Sequence, residues 1–241
     1  SVLEDLIKSK HLIQKKYGIV HYDSPDKRGI DVALLYQKKY FKPVHHEVFN
    51  PNIYKNNRKV FTRDQLLVSG YLDDEFIHLI VNHWPSRSGG EAKSRPLREK
   101  AAYQNTKIIQ KIRDKEADAK ILIMGDFNDD PNNTSFKKVL KTKRKKKNVE
   151  ALDIYNPYEN LHRKGLNTLV YRDNLNLFDM ILISAPLLDK GAKDFSTYKM
   201  YKAMIFNKWF LSDKKGKYKG YPFRSFSNGG YTGGYSDHYP V

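Results

Sequence analysis

Ile121-Leu122-Ile123-Met124-Gly125-Asp126-Phe127-Asn128 decides the reading of this chain. Its first four residues form a short apolar run, the pattern of a strand buried on both faces. Gly125 frees the backbone for a turn at the end of that strand. Asp126 and Asn128 stand two apart, so extended backbone would point both side chains to one face. A carboxylate beside a carboxamide suits a hard cation such as Mg²⁺, with a water or phosphate nearby. The competing reading is a polar turn closed by Asx hydrogen bonds. That reading is preferred for Asp129 and Asp130, which follow directly.

Working outward, the run Phe76-Ile77-His78-Leu79-Ile80-Val81-Asn82-His83 is a second buried strand that ends in polar residues. It continues into Trp84-Pro85-Ser86-Arg87, where His83 can donate to a phosphate oxygen and Arg87 can grip the same anion bidentately. Ser86 lies between them. A histidine in this position, taken alone, is more often a satisfied structural one. Between the two strands, Leu97, Ala101, Ile108 and Ile112 predict a long amphipathic helix over 95–115. Upstream, the spacing predicts a helix over 2–16 with Ser1 as N-cap, and strands over 17–22, 31–36, 42–49 and 60–72. Downstream come a short helix over 134–141 and strands over 168–171 and 178–184.

Two further polar groups belong with these. Asp179 is an acid inside the otherwise apolar run 177–183, and burying an unpaired carboxylate is costly, so it should have a partner. Ser236-Asp237-His238 places an acid and a base side by side, Asp237 for a metal and His238 for the attacking water. A histidine base needs a carboxylate to hold its tautomer, and Asp179 is the best candidate. A purely structural hydrogen bond is the alternative.

The 241 residues are of a size for one large domain, and 39% hydrophobic content is enough for a core. No apolar run approaches the ~20 residues that span a bilayer. There is no cysteine, which excludes disulfides, thiolate metal sites and a cysteine nucleophile. Lys and Arg number 44 against 27 Asp and Glu, a formal charge of +17 that attracts polyanions. A lysine-coated soluble surface explains the same charge. The densest basic block is 141–147. In the stretch 198–235, Lys and Arg interleave with aromatics, a combination that can hold phosphates while rings stack on bases. Lys208, Trp209, Lys217, Tyr218, Tyr221 and Arg224 are the candidates, with packing of the loop onto the sheet as the alternative.

In order and type these motifs resemble the endonuclease/exonuclease/phosphatase superfamily, in deoxyribonuclease I-like form. The likeness covers the histidine after a strand at His83, Gly-Asp-Phe-Asn at 125–128, the acid-bearing strand at Asp179 and Ser-Asp-His at 236–238. Arg28-Gly29-Ile30-Asp31-Val32-Ala33-Leu34-Leu35-Tyr36 is similar to a bacterial branch, with Arg28 and Asp31 as substrate-binding candidates. The resemblance implies an α+β fold, a four-layer α/β/β/α sandwich of two mixed sheets, and Mg²⁺ or Mn²⁺ as cofactor. It implies Asp126, Asn128 and Asp237 around the metal, His238 with Asp179 activating water, and His83 on the scissile phosphate. Nucleic acid is the favoured substrate; a small or lipid phosphoester, or polyanion binding without turnover, are the alternatives. It further implies an asparagine and a metal-binding glutamate on two strands upstream of residue 1. On that expectation 1–241 is a single domain lacking its first strands and its last. Glu4, inside a helix, is a poor substitute. A soluble, cytoplasmic or exported location and any oligomeric state stay open.

Overall fold

Strand-forming runs and turn residues alternate along the chain, and in the computed structural model, which describes residues 1–188, 191, 196–227 and 229–241, they pair mainly in one sheet. The strands are β1 (Tyr17–His21), β2 (Ala33–Gln37), β3 (Phe41–Phe49), β4 (Tyr54–Lys55), β5 (Arg58–Lys59), β6 (Gln65–Leu72) and β7 (Glu75–His83). There follow β8 (Ile121–Asp126), β9 (Ile154–Tyr155), β10 (Leu169–Tyr171), β11 (Asn174–Asn176), β12 (Asp179–Ser184), β13 (Phe226–Ser227) and β14 (Gly230–Tyr231). The helices are α1 (Val2–Lys8), α2 (Glu91–Arg113) and α3 (Tyr158–Arg163).

The main sheet has the order β3-β6-β7-β8-β12-β9 and is antiparallel except for the parallel pair β7–β8. A parallel pair needs a long crossover, and α2 is that connection. Side chains alternate across the sheet, and each face has its own core. Ile80, Ile121, Ile123, Met180 and Leu182 pack with Ala101, Ala102, Ile108, Ile109 and Ile112 of α2. On the other face Leu66, Val68, Leu79 and Val81 meet Val20, Val32 and Leu34 of the β1–β2 ribbon. The result is the expected α+β sandwich. Among the described residues its second sheet is a two-stranded antiparallel ribbon rather than a mixed sheet.

Several elements differ in extent. The helix expected over 2–16 ends at Lys8, where Ser9 turns extended (ψ 149°); only a 3₁₀ turn follows at Ile13–Lys15. No residue of α1 is buried, so its apolar side chains gain nothing by continuing the helix. Its start matches, with a capping box between Ser1 and Glu4. The strand expected over 60–72 begins at Gln65, and α2 begins at Glu91 with Pro96 inside it. The short helix expected over 134–141 is a one-turn π-helix, Ser135–Val139, and Thr134 makes no side-chain cap. Asp73 (φ 49°) forms the tight turn between β6 and β7. Asn228, within the expected aromatic-basic stretch 198–235, lies outside the described residues.

Candidate active site

Strand register builds the site. In the parallel pair β7–β8, His83 stands beside Asp126; in the antiparallel pair β8–β12, Asp126 stands beside Asp179. Directly paired residues project their side chains to the same face, so an imidazole and two carboxylates form a row across three adjacent strands. The row lies on the ribbon face, since Leu79 and Val81, four and two positions before His83, pack there.

The turns that follow the strands are pinned from beneath. Trp84 is 1% exposed, stacks on Phe136 at 5.3 Å and meets Phe127 edge-on at 4.8 Å. Its Nε1 donates to Asn82 Oδ1 (2.9 Å), which also accepts from Asn105 of α2 (2.7 Å). Its carbonyl accepts from Asn128 Nδ2 (3.0 Å) and from Arg63 (2.6 Å). Gly125 adopts φ 134°, and a Cβ there would lie 1.9 Å from the carbonyl oxygen of Asn82. No other residue fits so close an approach between the two strands.

Asp126 and Asn128 meet, though not as alternate residues of extended chain. Asn128 is left-handed (φ 51°), and its backbone N–H donates to Asp126 Oδ1 (2.8 Å) while Nδ2 approaches Oδ2 (3.3 Å). The Asx turn and the convergence of the two polar groups are one structure here. Among the described residues nothing donates to Asn128 Oδ1, which leaves that oxygen for a water.

His238 reaches the row from the C-terminal segment. Its Nδ1 is 2.7 Å from Asp179 Oδ2, across 59 residues of sequence. That segment carries no strand at Tyr239. It is held by Tyr239 N–H donating to the Thr168 carbonyl (2.7 Å), and Thr168 Oγ1 in turn accepts from the backbone of Asp179 (3.3 Å). One threonine thus aligns both members of the pair.

The electrostatics divide the imidazoles. Burial works against a charge on His238, but the hydrogen bond and charge of Asp179, helped by Asp126 and Asp237, overcome it and raise its pKa to about 9. Burial lowers His83 to about 3, with Arg63 and Arg28 pushing the same way. His83 is therefore neutral at pH 7, and its 3.4 Å approach to Asp126 is a polar contact rather than an ion pair. Burial and the neighbouring charge of Asp179 raise Asp126 to about 6, against the pull of His238 and Arg63.

Asp126, Asp179 and His238 each offer one ligand atom, all within 4.8 Å of one another. Two carboxylates crowded into a half-buried site, one of them with a raised pKa, leave negative charge that a cation relieves, and oxygen donors suit a hard divalent ion. The residues fit a divalent metal.

Other expected site residues lie elsewhere or are otherwise engaged. Asp237 is exposed and outside this trio. Adjacent residues project in different directions, and Asp179 occupies the place beside His238. Arg87 does not reach out to an anion: its Nε donates to the Asn128 carbonyl (3.0 Å), its Nη2 pairs with Asp129 (3.3 Å) and Asp130 (3.0 Å), and it lies 4.4 Å over the Phe178 ring. Asp129 and Asp130 are buried anchors rather than a solvated turn, with Arg98 2.6 Å from Asp129. Ser86 is half-buried between His83 and Arg87. Arg28 pairs with Asp26 (3.3 Å), and Asp31 accepts from Ser24 N–H (2.7 Å) and faces His21 (3.3 Å). In the 198–235 stretch, Trp209 is 73% exposed with Lys214 over its ring, and Lys208 lies over Phe206. Tyr218, Tyr221 and Arg224 line a separate cavity with Lys217. Sequence reasoning missed Arg63, which is 4% exposed and bridges Asp26 and Trp84. Its only signal is the polar run Thr62-Arg63-Asp64-Gln65, expected to open the strand over 60–72, whereas the strand begins at Gln65.

The chain belongs to the endonuclease/exonuclease/phosphatase family, whose model matches residues 1–241. No curated protein matches the sequence. Among solved structures, ANGEL2, described as a 2′,3′-cyclic phosphatase, aligns with a TM-score of 0.51 and 12% identity over 76% of this chain and 67% of its own. A TDP2 from D. rerio in complex with a single strand DNA product gives 0.50 and 15% over 76% and 66%. A second D. rerio TDP2, humanized by mutation, is likewise covered over 66% of its length, so this chain spans just under two thirds of the TDP2 structures. At these identities the likeness is one of fold.

Proposed function

We propose that the protein is a divalent-metal-dependent phosphodiesterase acting on nucleic acid. The observation that carries this reading is the row His83–Asp126–Asp179 joined by His238 at 2.7 Å. A cation held by Asp126 with its acidic neighbour would stabilise charge on the phosphate oxygens and lower the pKa of a water. His238 holds a proton against Asp179, and the pair can take or return one at the reacting oxygen. Asn128 Oδ1 can orient the attacking water. Neutral His83 carries a single N–H, which it can give either to Asp126 or to the phosphate but not to both. The charge of +17 favours a polyanionic substrate.

The test is hydrolysis of plasmid DNA, RNA and a small chromogenic diester, with Mg²⁺ or Mn²⁺, by protein expressed from its complete coding sequence. Activity should vanish in EDTA and fall by about 10²–10⁴ in His238→Ala. No EDTA-sensitive turnover, or undiminished activity in the variant, overturns the reading. Faster phosphate release from monoesters would assign the site to a phosphatase instead.

A further inference from the structure

A second cavity, of about 590 Å³, opens between the β10–β11 hairpin and the loop 213–232. We propose that it is a pocket for one unpaired nucleobase of a single-stranded substrate, selecting a base that carries an exocyclic amine. The inference rests on the nucleic-acid reading above and names what that site would take.

Its size suits a nucleoside-sized ligand, since pockets for small molecules run about 300–1,000 Å³. Its walls supply aromatic faces from Tyr171, Tyr218 and Tyr221, the last two in ring contact at 5.6 Å. Base-on-ring stacking needs a base already out of a duplex. Lys217 and Arg224 place cations at the same cavity. Lys217 stands 5.8 Å over the Tyr218 ring, and the Arg224 guanidinium makes one hydrogen bond among the described residues, a long 3.4 Å contact to the Val170 carbonyl.

Asp213 sets the chemistry of the ligand. Its backbone is fixed, donating to the Tyr221 carbonyl (2.8 Å) and accepting from Gly220 N–H (2.9 Å). Its half-buried carboxylate has no hydrogen-bond or ion-pair partner among the described residues. The neighbouring acid, Asp173, is already taken by the Tyr221 hydroxyl. A free carboxylate among aromatic rings accepts from N–H groups, and an aspartate reads the amino group of cytosine in this way. Thymine has no exocyclic amine; its N3–H can donate, but the two carbonyls that flank it then crowd the carboxylate, so the fit is poorer.

The cavity is tied to the candidate active site through both walls. Phe223, one lining residue, accepts at its carbonyl from Tyr235 N–H (2.7 Å) and Ser236 N–H (3.2 Å), just before His238. A Cβ at Gly234 would lie 2.1 Å from the Arg224 carbonyl oxygen, so glycine permits this approach. The Tyr239 hydroxyl donates to the Gly220 carbonyl (3.1 Å) and meets Ser212 (2.6 Å). On the other wall, β10 begins one residue after Thr168, which aligns Asp179 and Tyr239. These contacts join the wall of the cavity to the segment that carries His238.

Fluorescence anisotropy in EDTA, where nothing is cleaved, tests this with labelled oligo-dC, oligo-dT and a duplex of equal length. The wild-type protein should hold oligo-dC roughly tenfold more tightly than oligo-dT, and the duplex more weakly than either. Asp213→Asn should remove the preference between the two strands, and Tyr218→Ala should weaken both by roughly tenfold. Equal affinity of the wild type for all three probes, or a preference intact in Asp213→Asn, overturns the pocket. The wild-type comparison needs no variant to fold. Base preference without hydrolysis on adding Mg²⁺ would leave the pocket standing and sink the enzymatic reading; EDTA-sensitive hydrolysis without base preference would do the reverse.

Discussion

The ion pair between Asp26 and Arg63 lies beneath the candidate site, and its contribution can be worked from the structure. Their side chains are 5% and 3% exposed, and Arg63 Nη1 donates to Asp26 Oδ2 at 3.1 Å. Burial alone would raise the pKa of Asp26, but the backbone N–H and guanidinium of Arg28, with Arg63, outweigh it and lower it from 3.8 to about 2. Because the folded pKa is depressed, the stabilisation is present above the unfolded value and is lost as pH falls through about 2. At ~1.4 kcal/mol per tenfold change in proton affinity, the gap is worth about 2.5 kcal/mol at pH 7, of which about half remains at pH 3. Asp26→Asn should therefore cost at least that at pH 7, since Arg63 is left as a buried charge with less compensation. With a urea m-value of about 3 kcal/mol/M, the midpoint should drop by roughly 0.8 M. Urea unfolding at pH 7 and pH 3 measures both quantities. Equal midpoints at pH 7, or a free-energy difference that does not shrink by about 1.2 kcal/mol between pH 7 and pH 3, would refute the assignment.

Two further predictions concern the site itself. In metal-free protein, NMR titration of the imidazole Cε1–H signals should place His238 near 9 and His83 near 3. The stabilisation from His238 is then complete below its ordinary value and lost as pH rises through about 9, whereas His83 costs stability progressively as pH falls from 6.5 to about 3, because over that range only the unfolded imidazole takes up a proton; two titrations near 6.5 would discard the assignment. Gly125→Ala forces a Cβ to within 1.9 Å of the Asn82 carbonyl oxygen at φ 134°, so it should destabilise by about 4 kcal/mol or more; an unchanged melting temperature would show that the β7–β8 approach is not as tight as described.

Strands were legible because two-sided burial writes itself as an unbroken apolar run: β7, β8 and β12 fall within a residue or two of the expected places. The pairing of Asp179 with His238 was legible too, because an acid inside such a run demands a partner. The Asp126–Asn128 pair was expected to converge through extended backbone, yet it converges through a left-handed Asn128. The same two residues encode an Asx turn, and periodicity does not distinguish them. Arg87 was misplaced for a related reason. A guanidinium fork fits a buried carboxylate as well as a phosphate, and only the folded loop shows that Asp129 and Asp130 come within its reach. Asp237 was expected on a metal from its place beside His238; it is exposed and lies outside the trio of Asp126, Asp179 and His238. The failed extension of α1 has a different cause. Its apolar spacing is helical, but no surface receives it.

The distribution of charge gives the remaining step. A chain of +17 draws a polyanion toward itself over distances of about a Debye length. At the site the sign reverses, because Asp126 and Asp179 stand side by side with only His238 and, for Asp126, Arg63 answering them among the groups described. A phosphate arriving at that row meets repulsion at close range after attraction at long range. His238, held protonated by its carboxylate, offsets one of the two negative charges and leaves the other to a divalent ion. Removing the ion should therefore abolish turnover while leaving association intact. Salt should instead weaken association at any metal concentration, with a steep slope that scales with the number of phosphates contacted. Measuring both dependences on one substrate separates the charge that gathers the polyanion from the charge that acts on it.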